Sequence, residues 1–216
     1  MGLIATRMTY SRAERLSDAV IHVAGLVIVL AAVPVLITLT AVLRGDFPSI
    51  FSISVYGAAF AAMILCSALY NMMPPSGWSG LLRRLDHSAI YLKIAGTYTP
   101  FTLMTGHGTW LLAGIWGAAA TGVGLKLTAP DRFRRLGLAL YLAMGWAGLW
   151  AGGALVGALS APVLALIVAG GLLYTGGVAF YLMERMPFHY TIWHGFVLAA
   201  SLVFYAAVTL HMVQTA

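Results

Sequence analysis

Three stretches of the chain carry side chains able to ligate a metal or move a proton, and each lies at the edge of an apolar run. "CSALYN" closes one run and holds Ser67 and Asn71, four residues apart and so on one helical face. "LLRRLDHSAIYLKIAG" opens another with Asp86 and His87, and Lys93 follows seven positions after Asp86. "FHYTIWH" opens the last run with His189, Tyr190 and His194. Hydroxyl, carboxylate and imidazole are the groups of acid–base catalysis and of metal ligation. An ionisable group inside a bilayer costs about 2.5–3.5 kcal/mol on insertion scales, so such groups face a cavity or one another. The three stretches predict one shared polar site, either a metal site or an acid–base site.

Simpler roles account for several of these residues. Asp86 is explained equally well as an interfacial residue near a helix N-terminus, favoured by the helix dipole. A lone histidine in a span reads as an interhelical hydrogen-bond partner, and His22, His107 and His211 take that reading. Tyr98 and Trp193 read as packing or interface aromatics. Lys93 shares a face with Asp86, and its stem is expected to snorkel toward that carboxylate and the nearer headgroups.

The elements that must position these groups are membrane helices. The chain is 61% hydrophobic and 8% charged, far below the roughly 25% charge of soluble domains. Apolar runs at about 17–43, 49–73, 86–105, 108–127, 134–156, 162–183 and 190–213 predict an all-α integral membrane protein. It is read as one seven-helix membrane domain over 1–216, with 1–16 as an N-terminal tail. The first run is too long for the core of a cleaved signal peptide, so it is expected to remain as a span. Pro34 and Pro100 fall inside spans, which membrane helices tolerate. Gly148/Gly152 and Gly153/Gly157 are spaced for close helix packing. The lone Cys66 has no disulfide partner within the chain.

Lysine and arginine set the orientation. Of the twelve, ten fall in the N-terminal tail and in the loops after spans two, four and six: Arg7, Arg12, Arg15, Arg83, Arg84, Lys126, Arg132, Arg134, Arg135 and Arg185. The opposite side has Arg44 alone, and Lys93 is within a span. The positive-inside rule then puts the N-terminus in the cytoplasm and the C-terminus outside the cell (inner) membrane. The three polar stretches thereby share the cytoplasmic leaflet. A net charge of +6 fits an anionic lipid surface, and no Lys/Arg-rich face marks a nucleic-acid partner.

The quoted stretches, with "SDAVIHVAG", "LYLAMGW", "GGLLYTGGVAFY" and "IWHGFVLAAS", resemble the bacterial hemolysin III family, relatives of the progestin and adipoQ receptors. "SDAVIHVAG" fits that family's Asn/Asp-x-x-x-His-x-x-Gly opening. The resemblance implies seven helices with a cytoplasmic N-terminus. In its zinc-bearing members it implies three histidines holding zinc near the inner leaflet, a neighbouring Ser and Asp, and likeness to membrane hydrolases of lipid amides. By position the catalytic pair falls on Ser67 and Asp86.

Two of the zinc histidines fall on Asn71 and Tyr190, and the third on His194. His189 is one position further back than the pattern asks. Four residues turn a helix to within about 40° of the same face, five to about 140°, so His189 joins His194 only if the helix starts irregularly after Pro187. The ligand set left is His194, His189 and Asp86. That set stays open between a zinc site of two imidazoles and a carboxylate and a changed, metal-free site within a retained fold.

Three functions follow: a zinc-dependent lipid-amide hydrolase, a protein that senses a bound lipid or fatty-acyl ligand, and, from the family's name, a pore. The expected partners are membrane lipids. A pore needs lines or rings of polar residues, and one polar cluster in one leaflet does not supply them.

Overall fold

The computed structural model describes residues 10–128 and 134–216, and among them the chain forms eight helices and no strand. They are α1 (Arg12–Leu43), α2 (Phe47–Met72), α3 (Ser79–Thr105), α4 (Thr109–Thr128), α5 (Arg134–Ala151), α6 (Gly153–Ala158), α7 (Ala161–Leu182) and α8 (His189–Gln214). Arg7 and Arg132 lie outside the described residues.

Local chemistry fixes the helix starts. Ser11 and Glu14 form a reciprocal capping box at α1, each side chain bonding the other's backbone N–H. Asp46 caps α2 by accepting from Ser49 N–H at 2.9 Å, which holds its carboxyl below the usual carboxylate range. At 32 residues α1 is about 48 Å long, well beyond the roughly 30 Å of a hydrocarbon core. Val27 and Leu30 on α1 are 64% and 70% exposed, an outward apolar face suited to lipid.

Five helices, α1, α2, α4, α7 and α8, are long and apolar enough to cross a membrane. The expected seven spans are not reproduced on that measure, for two reasons. α3 begins at Ser79, earlier than the apolar run, and so carries Arg83, Arg84, Asp86 and Lys93 within the helix. The expected span 134–156 is broken at Gly152 into α5 and α6. A Cβ at Gly152 would stand 2.3 Å from the Gly148 carbonyl oxygen. Close packing holds at Gly148, against Tyr98, but a Cβ at Gly153 or Gly157 would meet nothing within 4 Å.

α3 is the central helix, packed against α2, α4, α5 and α8, while α1 rests on α2 and α8. Tyr56, Phe60 and Ile53 of α2 are fully buried in the core. This arrangement brings the entry of α1, the end of α2 and the starts of α3 and α8 to one end of the bundle.

Candidate metal centre

At that end Asp18, His22 and His194 converge, with ligand atoms all within 4.8 Å of one another. Asp18 and His22 are one helical turn apart on α1, and His194 comes from the second turn of α8. His194 Nδ1 donates to Asp18 Oδ1 at 2.5 Å. His22 Nδ1 donates to the Asp18 carbonyl at 2.8 Å and lies 3.5 Å from Asp18 Oδ2. A carbonyl only accepts, so the His22 proton sits on Nδ1 and its Nε2 lone pair faces Ser67 Oγ at 3.2 Å. The two imidazoles meet edge to face, 4.5 Å between centroids.

His22, Ser67, Asp86, His87, Tyr190 and His194 line one cavity of about 80 Å³. Asp86 is therefore beside the group without being one of its three members. Asn71 donates to Ser67, to the carbonyl at 2.9 Å and to Oγ at 3.3 Å. Tyr190 stacks edge-on against His194, 4.5 Å between centroids. Lys126, expected in a cytoplasmic loop, is instead buried in the last turn of α4 and lines the same cavity.

Two expectations are corrected. His189 does not reach His194's partners. α8 does start irregularly, on Phe188 at φ 59°, but His189 turns the other way and its Nε2 shares a 3.1 Å hydrogen bond with Tyr10 Oη. Lys93 does not snorkel toward Asp86: its ammonium donates to Thr97 Oγ1 at 2.9 Å, one turn deeper along α3. In that direction the ammonium lies over the Tyr56 and Phe60 rings of α2, whose faces attract a cation.

The sequence assigns His22 only an interhelical hydrogen bond. His22 does make one, to Ser67, but it also completes the group. The signal was present as Asp18 and His22 spaced i, i+4 in "SDAVIH". Nothing in the sequence pointed to Tyr10 and Glu14, which tie the entry of α1 to α8: Glu14 accepts from Phe188 N–H at 2.9 Å.

Tyr10 gives a pH prediction. Burial, then the Glu14 and Asp18 carboxylates, push its phenol up to about 12 from an ordinary 10. Its contribution to stability is complete below the unfolded value. Above it the unfolded chain loses the proton first, so stability falls as pH rises toward the folded value. Thermal melts across that window should show a shallower decline for Tyr10→Phe than for the wild type, and parallel declines would show that the Tyr10 phenol does not help tie α1 to α8.

The donor set suits zinc, which takes imidazole and carboxylate and whose ligating histidines hold their second nitrogen on a carbonyl or carboxylate, as both rings do here. The chain matches the family model described as "Haemolysin-III related" over residues 11–205. It belongs to that family. It is 37% identical to Hemolysin-3 of Bacillus cereus over 214 residues, 98% of this chain and 97% of that one. It is 35% identical to the Hemolysin-3 homolog of Bacillus subtilis (strain 168) over 206 residues, 93% and 95% of the two chains. The human Monocyte to macrophage differentiation factor is a more distant relative, 28% identical over 170 residues, 71% of this chain and 67% of that one. This haemolysin-III-related protein is thus a membrane protein, with a potential Asp/His metal group at one end of its bundle.

Proposed function

We propose that this family member crosses the inner membrane seven times, N-terminus in the cytoplasm and C-terminus outside, and hydrolyses a lipid amide at the cavity beside Asp18, His22 and His194. Support for seven crossings comes from packing. α3 packs against three of the apolar helices, α2, α4 and α8, and Asp86 and Lys93 are buried, so it need not be apolar throughout. The charge bias of short loops supports the orientation.

The observation carrying the site is the convergence of Asp18 with two imidazoles, His22 and His194, that line a cavity together with Asp86 and Ser67. A zinc ion bound there supplies Lewis acidity and a water acidic enough to ionise near neutral pH. Asp18 orients both imidazoles. Asp86, buried at the wall, is placed to take a proton from water and pass it to the leaving amine. Ser67 donates its proton to His22 Nε2, and when that lone pair is engaged elsewhere the hydroxyl is available to the amide oxygen. The apolar side chains around the cavity exclude bulk water and suit a lipid chain.

Metal analysis of the purified full chain tests this, together with amide-lipid turnover in reconstituted vesicles before and after chelation. About one zinc per chain and turnover lost on chelation are expected. A chain without metal overturns the reading; a metal-bearing chain without turnover reduces it to a lipid sensor. The name of the Bacillus cereus relative speaks of haemolysis, and dye release from the same vesicles would establish a pore instead.

A further inference from the structure

Lys93 lies in the middle of α3 and is 2% exposed. Its ammonium has three N–H donors, and Thr97 Oγ1 takes one at 2.9 Å. The rest of its surroundings are aromatic faces: Tyr56 at 4.4 Å, Phe60 at 5.0 Å and Phe204 at 6.0 Å from ring centroid to Nζ. Among the described residues no carboxylate stands within ion-pair distance of it. Ring faces attract a cation but do not neutralise it, and a buried charge without a counter-ion is expensive.

Lys93 also lines a second cavity, of about 120 Å³, whose wall is otherwise uncharged and mostly apolar. It extends from Lys93 and Thr97 toward Leu155, Leu159 and Leu164, away from the end that holds Asp18, His22 and His194. The polar cavity shares Met63, Ile90, Tyr141 and Trp193 with it, but not Lys93.

We propose that this second cavity is a binding site for a single-chain amphiphile with a carboxylate head, the carboxylate pairing with Lys93 and the acyl chain running toward Leu155 and Leu159. Charge count selects the head. One ammonium balances one carboxylate, whereas a doubly charged phosphate would leave charge unpaired in a wall with no second cation. A neutral head leaves Lys93 as it is. An uncharged chain passing through would have to cover the ammonium without neutralising it, so the head belongs at Lys93. The site does not rest on the metal reading, because none of the three candidate ligands lines it.

The test is equilibrium binding of carboxyl-labelled palmitate to the purified full chain in detergent, with methyl palmitate as the neutral-headed competitor. Lys93→Met keeps the length of the side chain, removes the charge, and relieves a buried ion rather than creating one. The wild type should bind about one palmitate and prefer it to the ester by about tenfold or more, the scale of a buried charge-assisted hydrogen bond. Lys93→Met, confirmed as folded by an unchanged or raised melting temperature, should lose that preference. His194→Ala and chelator-treated wild type should both keep it. Equal binding of acid and ester by the wild type overturns the proposal. So does an undiminished preference in Lys93→Met, or its loss in His194→Ala, which would put the head at the metal group.

Discussion

Asp18→Asn is expected to weaken zinc binding by about 10- to 100-fold, measured by competition with a chromophoric chelator. Asp18 reaches both imidazoles: Oδ1 holds His194 Nδ1 at 2.5 Å, while Oδ2 and the backbone carbonyl lie at 3.5 and 2.8 Å from His22 Nδ1. An asparagine retains one acceptor oxygen and places an NH₂ where the second oxygen was. Both Nδ1–H groups are donors, so one of them then faces a donor. Among the described residues His194 has no other partner for its Nδ1–H and turns, whereas His22 is still held by the Asp18 carbonyl, so it is chiefly the His194 Nε2 that loses its aim at the shared centre. If the carboxylate itself ligates, the loss is larger. The metal-free protein should also melt several degrees lower, since a hydrogen bond to a charged, largely buried group is worth about 1.5–3 kcal/mol. Ser17→Ala, one residue away, should leave zinc affinity unchanged because Ser17 bonds Thr191 and the Glu14 carbonyl instead. Wild-type affinity in Asp18→Asn would show that Asp18 neither ligates nor orients.

How far this site could be seen in the sequence differs residue by residue. Ser67, Asp86 and His194 each sit at the edge of an apolar run, where burial in lipid is costly, and they line one cavity. His22 carries the same physics but lies one turn inside a long apolar helix, where a single histidine has an ordinary packing role. Only the approach of α1 to α8 shows that it faces His194. His189 shows the converse. Its type suited the site, yet the left-handed Phe188 before it sets a direction that spacing alone does not give. Lys93 lies on the expected helix but turns away from Asp86, toward the rings of Tyr56, Phe60 and Phe204, which come from two other helices and leave no mark in the local sequence. The apolar runs located most helices. They missed the break at Gly152, which a hydropathy window cannot register, and the polar start of α3, which apolarity excluded.

Gly96→Leu is expected to prevent folding of the bundle, and Gly96→Ala to lower its melting temperature measurably in detergent. A Cβ at Gly96 would stand 2.8 Å from Ala59 Cβ, 3.4 Å from the Val55 carbonyl oxygen and 3.6 Å from Tyr56 Cα. Those atoms belong to the body of α2 and cannot swing aside as a flexible side chain would, so α2 and α3 must separate. Overpacking of this kind typically costs about 1–3 kcal/mol for added methylenes, and more where backbone must move. The consequence reaches function because this contact sets the spacing of the two helices. α2 carries Ser67 and the Tyr56 and Phe60 rings over Lys93, and α3 carries Asp86 and Lys93 itself. Separation therefore disturbs both cavities at once, and the alanine variant should lose zinc retention and palmitate preference together. Gly117→Leu on α4 is the matched control. Nothing lies within 4 Å of its Cβ position, and replacing a helical glycine gains up to about 1 kcal/mol of helix propensity. Its melting temperature should equal or exceed that of the wild type. If Gly96→Leu melted like Gly117→Leu, the close approach of α2 and α3, and with it the framework of both sites, would be wrong.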